Sequence, residues 1–207
     1  VTSEQNGCRI ALTGGPGGGK TTAADLFRRE LGDSVVLVPE AATMLFSGGF
    51  PRYDKPDAVR AAQRAIFFLQ RGIEETQAAE YPGRILLCDR GTVDGAAYWP
   101  SSTDAKNGDP DEFFRTVDTT IEHELSRYDA VIFFETAAAG EISIEGGNPT
   151  RVESLAEAVE VDRRLHALWS RHPKFVFVPH NPSFFKKISF GLATLEGMVR
   201  QLQRERS

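Results

Sequence analysis

The chain has 207 residues, a length that favours one domain with its own core. Hydrophobic residues make up 41% and charged residues 26%, so neither a disordered nor a fibrous chain is indicated. A net charge of −5 argues against a general nucleic-acid binder, and no apolar run approaches the ~20 residues that span a bilayer.

The opening Val1–Asn6 is polar and resembles neither a signal peptide nor an anchor. Two cysteines, Cys8 and Cys88, do not make a secreted disulfide framework. A soluble, cytoplasmic protein with no membrane partner is the expectation. Nothing in the sequence sets an oligomeric state.

In chain order, short β-branched or aliphatic runs alternate with longer helical segments. Strands are predicted at Arg9–Thr13, Val35–Val38, Ile85–Cys88, Ala130–Glu135 and Phe175–Val178. Helices are predicted at Lys20–Leu31, Asp57–Glu80, Asp111–Arg127, Ser154–Ser170 and Ser183–Arg204. This alternation implies βαβ units and a mostly parallel sheet covered on both faces. Three helices carry apolar stripes at steps of three and four: Val59, Ala62, Ile66, Leu69 and Ile73; Leu155, Ala158, Val161, Leu165 and Leu168; and Phe185, Ile188, Leu192, Leu195, Val199 and Leu202. Each is read as a face buried on the sheet. Ser101–Asp109 and 137–151 are too polar or glycine-rich for core; a segment of the second kind is expected to be a lid.

The first strand runs into Gly14-Gly15-Pro16-Gly17-Gly18-Gly19-Lys20-Thr21, a full match to G-x-x-x-x-G-K-[ST], the P-loop or Walker A motif. A helix follows, as the motif requires. Gly15, Gly17, Gly18 and Gly19 let the backbone curl so that N–H groups meet phosphate oxygens, and the helix N-terminus through Thr22 adds its dipole. Lys20 is expected on the β- and γ-phosphates, and the Thr21 hydroxyl on Mg²⁺.

The third strand ends in Asp89-Arg90. An aspartate there is expected beside Mg²⁺. Hydrolytic ATPases commonly follow it with a glutamate that activates water; an arginine cannot do that but can pair with phosphate. The second strand ends in Pro39-Glu40, at the sheet edge where α/β proteins bind ligands. Glu40 reads either as acceptor of a hydroxyl proton or as a glutamate favoured at a helix start. Gln63, Gln70, Glu74 and Gln77 share one helix face; the ordinary reading is a solvated face, the functional one amides that read a ring. Arg151, closing the lid, is a candidate for neutralising the transferring phosphoryl group, whereas Arg163 and Arg164 read as surface arginines. The four histidines show no metal-ligand spacing, and most of them read as surface or helix-end residues.

The ordered set of Gly14–Thr21, Pro39-Glu40, Asp89-Arg90-Gly91, Asp94 and a lid near Arg151 resembles the P-loop kinase-like, AAA-type domains grouped with bacterial ribosylnicotinamide kinases. Thymidylate and deoxynucleoside kinases have a related layout. The resemblance spans nearly the whole chain. It implies a three-layer αβα domain with a five-stranded parallel sheet in the order 2-3-1-4-5 and a lid at about 137–151. It implies ATP and Mg²⁺, with Glu40 facing the acceptor hydroxyl, Asp89 the metal and Arg90 the phosphates. Asp94, like Gln70, would belong to the acceptor site. The expected function is phosphoryl transfer from ATP to a small-molecule, nucleoside-like hydroxyl. The rival is a nucleotide-binding regulatory ATPase with no metabolite acceptor.

Overall fold

A computed structural model describes residues 7–101, 108–140 and 154–206 of the single chain. Five parallel strands form its sheet: β1 (Arg9–Thr13), β2 (Val35–Val38), β3 (Ile85–Asp89), β4 (Ala130–Phe134) and β5 (Phe175–Val178). Their order is β2-β3-β1-β4-β5, as the resemblance implied. β1, β3 and β4 are buried on both faces, which explains their unbroken apolar sequences.

The helices are α1 (Lys20–Leu31), α2 (Ala41–Ser47), α3 (Pro56–Glu80), α4 (Asp94–Ala97), α5 (Pro110–Thr116), α6 (Ile121–Ser126), α7 (Leu155–Trp169) and α8 (Phe184–Arg206). One core cluster joins α1 and α8 to a sheet face through Phe27, Ile10, Leu12, Ile132, Leu195 and Val199. The other joins α3 to α7 to the opposite face through Phe67, Phe113, Trp99, Leu165 and Trp169. Two packed layers on one sheet give the expected αβα sandwich.

Several local expectations change. The helix expected over Asp111–Arg127 breaks into α5 and α6. Between them Asp118 takes a left-handed backbone (φ 56), and the Thr120 side chain caps a new helix by accepting from His123 N. The short α2 and α4 escape periodicity because each spans two turns or fewer. The α3 stripe is only partly core: Val59, Ala62 and Ile66 line a cleft, while the buried side of the helix carries Gln70 and Glu74. The solvated-face reading of those two residues is overturned. Phe185 and Leu155 head their stripes but are exposed.

His172 is also not at the surface. It is buried, with Nε2 2.8 Å from Tyr128 O and Nδ1 accepting from Lys174 N. Cys8 and Cys88 are buried and share no disulfide: Cys88 on β3 pairs in register with Ala11, whereas Cys8 just precedes β1. Burial pushes the Cys88 thiol well above its ordinary value, so it stays protonated. Ala137–Gly140 forms a short 3-10 turn, and the rest of the expected lid, Arg151 included, lies outside the described residues. Among the described residues, no helix is long and apolar enough to cross a membrane.

Candidate active site

The C-terminal ends of β1, β2 and β3 open into one cleft of about 870 Å³. Its floor at one end is the P-loop. Gly17, Gly19, Lys20, Thr21 and Thr22 line the cleft. Gly14 and Gly19 take positive φ values (130 and 84), which only glycine adopts cheaply, and Gly14 also lies hard against the carbonyl end of β4. Two expected phosphate ligands are otherwise engaged. Gly15 N donates to Asp162 Oδ1 at 2.7 Å, and Gly18 N donates to Gly15 O at 3.3 Å. Gly15 and Gly18 therefore frame the loop, and their N–H groups do not face the cleft.

Lys20 Nζ donates to Gly15 O at 2.7 Å and is buried. Burial, with Arg90 nearby, lowers Lys20 to about 7. Thr21 Oγ1 donates to Asp89 Oδ2 at 2.9 Å. Asp89 Oδ1 is buried with no hydrogen-bond partner. Burial, and then the charge of Glu40, raises Asp89 to about 6. An orphaned carboxylate oxygen beside a hydroxyl is a hard-donor set that suits Mg²⁺. Among the described residues no cluster of three or more His, Cys, Asp or Glu could hold a metal, so an ion here would complete its shell with phosphate and water.

Beside the P-loop, Arg90 organises a cluster of side chains, and its Nη1 also reaches Gly14 O at 3.4 Å. Its backbone is left-handed (φ 73), a conformation worth noting in a non-glycine residue. That turn sends the guanidinium back over the sheet edge. Nε donates to Glu40 Oε1 at 2.5 Å and Nη1 to Asp94 Oδ2 at 2.8 Å. Glu40 Oε2 accepts from Thr43 Oγ1. Burial alone would raise Glu40, but Arg90 and Thr43 hold it below the ordinary carboxylate range. Glu40 does occupy the start of α2, yet its side chain makes no cap; it turns to Arg90 instead. Of the two readings, helix start explains its place and not its carboxylate.

Asp94 is fully engaged. It accepts from Thr13 Oγ1, Arg90 Nη1 and, at 2.7 Å, the indole Nε1 of Trp169. In this structure it serves to hold Arg90. Gln70 plays a similar part. Its Oε1 accepts from Ala41 N at 3.4 Å, and its Nε2 donates to Arg90 O at 3.4 Å and Glu74 Oε1 at 3.1 Å. One amide thus ties the backbone after Glu40 to the backbone of Arg90. Glu74 behind it is fully buried and accepts from Tyr128 and Arg127 as well. Among described residues Gln63, two turns before Gln70, lines the cleft alongside Phe46, Arg52, Tyr53, Phe67 and Tyr98. This wall is aromatic, and Arg52 stacks 4.1 Å over the Phe46 ring.

Arg163 is exposed and pairs with Glu160, as expected of a surface arginine. Arg164 is not one: its Nη2 reaches the carbonyls of Ala96, Trp99 and Gly108. Sequence reasoning missed Asp162, Thr136 and Lys187, which contact the P-loop from α7, β4's end and α8. No motif marks them.

Among solved structures, deoxyadenosine kinase from M. mycoides with bound dATP superposes with a TM-score of 0.62 at 16% identity, covering 91% of this chain and 99% of its own. Thymidylate kinase from Candida albicans gives 0.62 at 16% identity, covering 96% and 93%. NadR protein in complex with NAD and AMP-PNP gives 0.60 at 15% identity over 93% of this chain; the match spans 49% of NadR, about half its length. At such identities the likeness establishes the fold, a P-loop kinase-like one. No curated protein matches the chain by sequence. The model of the AAA domain family matches residues 9–184, most of the chain. The protein therefore belongs to the AAA domain family.

Proposed function

We propose that this protein transfers a phosphoryl group from ATP to a hydroxyl of a small, nucleoside-like molecule. The observation that carries this reading is the Glu40–Arg90 ion pair, held at 2.5 Å in the same cleft as Lys20, Thr21 and Asp89, with Arg90 also reaching Gly14 O of the P-loop. It puts a carboxylate and a guanidinium where an acceptor hydroxyl and a moving phosphate would meet.

Glu40, kept ionised by Arg90, accepts a hydrogen bond from the acceptor hydroxyl on a free lone pair and takes its proton as the bond to phosphorus forms. Arg90 stays charged and orients Glu40 while facing the phosphate oxygens. Lys20 moves from Gly15 O to the donor phosphates, whose charge restores its proton. Thr21 and Asp89 would hold Mg²⁺, which supplies charge neutralisation between donor phosphates. The aromatic wall and Gln63 offer a stacking surface and one amide for a ring. Arg151 keeps its proposed role at the transferring phosphate.

The similarity to nucleoside and nucleotide kinases supports this reading, and NadR was solved with an ATP analogue. The deciding experiment incubates the protein with labelled ATP, Mg²⁺ and a panel of nucleosides that includes ribosylnicotinamide. Labelled acceptor phosphate is expected. Free phosphate alone, at a rate that no acceptor changes, would favour the regulatory ATPase.

A further inference from the structure

Behind the P-loop lies a buried cation that the reaction as derived does not use. Lys187 belongs to the first turn of α8, where its N–H bonds Ser183 O. Only 4% of it is exposed. Nζ donates to Gly18 O at 2.9 Å and to Glu135 O at 2.5 Å. It does not line the cleft. Its approach depends on Gly191, one turn along, where a Cβ would lie 2.8 Å from the Phe134 ring. With glycine there, α8 presses onto the end of β4 and carries Lys187 under the loop.

An ammonium is an expensive way to satisfy two carbonyls. Burial lowers Lys187 to about 8, with Asp162 and Glu135 the charged groups that oppose the fall. It is therefore still largely charged at neutral pH. Gly18 O is one end of a peptide unit whose other end is the N–H of Gly19, and Gly19 lines the cleft. A charged donor on the carbonyl polarises that amide and strengthens its N–H. The counter-charge, Asp162, sits on the N–H of Gly15 and of Thr136. Thus the cation acts on the amide of a residue that lines the cleft, Gly19, and the anion on that of Gly15, which does not line it.

We propose that Lys187 is a positioning residue for the donor phosphates: from behind the P-loop its ammonium holds the Gly18 carbonyl and sharpens the Gly19 N–H as a phosphate ligand. This rests on the reading of the cleft as a nucleotide site. The test is calorimetric titration of the whole chain with Mg²⁺·ATP and with tripolyphosphate, for wild type, Lys187→Met, Lys187→Gln and Lys187→Arg. Losing the charge is expected to weaken both ligands about tenfold in the Met and Gln variants, while Arg stays within about threefold of wild type. In the Gln variant the Gly19 amide proton, read by NMR, should move upfield.

Gln is the critical variant, because it keeps an N–H donor, on a side chain one bond shorter, while removing the charge, and it decides the matter if Met fails to fold. Tripolyphosphate bound as tightly by Lys187→Gln as by wild type, with the Gly19 resonance unmoved, overturns the proposal. So does an Arg variant as weak as Met. Wild-type protein that binds neither ligand would instead defeat the nucleotide-site reading itself, and this inference with it.

Discussion

The donor end and the acceptor side of the cleft are built on different plans. The donor loop is backbone, the six residues Gly14–Gly19 between β1 and α1, clamped from outside by Asp162, Thr136 and Lys187. The acceptor side is side chains: Glu40, Gln70, Arg90 and Asp94 come from four segments and hold one another through shared hydrogen bonds. Beyond them the wall is partly exposed, with Tyr53 63% accessible. A backbone cradle binds what every nucleoside triphosphate shares. A side-chain wall can be changed one residue at a time without disturbing it, so the acceptor is the part of the chemistry free to vary.

That division is sharpened most by removing Lys20. Lys20→Ala should cut turnover about 10²–10³-fold for every acceptor, read as kcat/KM over the panel. Folding should point the other way. Burial depresses the folded pKa of Lys20, so stability is lost progressively as pH falls from the ordinary lysine value of 10.5 toward about 7, and the cost is borne in full below that. Lys20→Met should therefore raise Tm at pH 6 relative to wild type.

Asp89→Asn is expected to cost about 10–100-fold in activity and to shift half-activation to higher Mg²⁺. Its folded pKa, raised to about 6, favours the protonated form; that contribution to stability is complete below the unfolded value and lost as pH rises through about 6. At pH 7 the Asn variant should consequently melt higher than wild type. In the wild type, Mg²⁺ affinity should fall as pH drops below about 6, and a flat profile from 5 to 8 would break the metal assignment.

Gln70→Met removes the tether between the two acceptor loops while keeping its volume. A loss of about tenfold in kcat is expected, equal for all acceptors, with ATP affinity changed less than about threefold. An acceptor-dependent effect on KM would instead make Gln70 a direct reader of the substrate. The smallest effect is expected at Ser154, whose side chain and Glu157 form a capping box on α7. Ser154→Ala should cost about 1 kcal/mol of stability, seen as a lower Tm, and leave the pH profile of turnover in place.

These contrasts also explain what the sequence reveals. The P-loop is legible because its function is local: contiguous glycines, a lysine and a threonine between a strand and a helix. Asp89-Arg90 and Pro39-Glu40 are legible because strand ends deliver them to one sheet edge. The supports are not. Asp162 meets Gly15 across 147 positions, and Lys187 meets Gly18 across 169. On a helix each looks like an ordinary surface charge. Gln70 and Glu74 mislead for a related reason: polarity suggests solvent, but Tyr128, Arg127 and two backbone groups take the place of water. The α5–α6 break is hidden because Phe113, Val117, Ile121 and Leu125 keep helical spacing across it, all of them buried.

The hydrogen bond from the Trp169 indole to Asp94 gives the molecule its own spectroscopic probe. The chain has two tryptophans. Trp169 Nε1 is bonded to the carboxylate that holds Arg90, whereas Trp99 Nε1 is buried and has no hydrogen-bond partner. A proton spectrum should therefore show two well-separated indole N–H signals, the bonded one downfield. Any ligand that draws Arg90 away from Asp94 will leave that carboxylate without its ion-pair partner and move one signal while the other stays as an internal reference. Acceptor candidates can thus be ranked by titration in an unlabelled sample, with no turnover and no prior guess about which hydroxyl reacts.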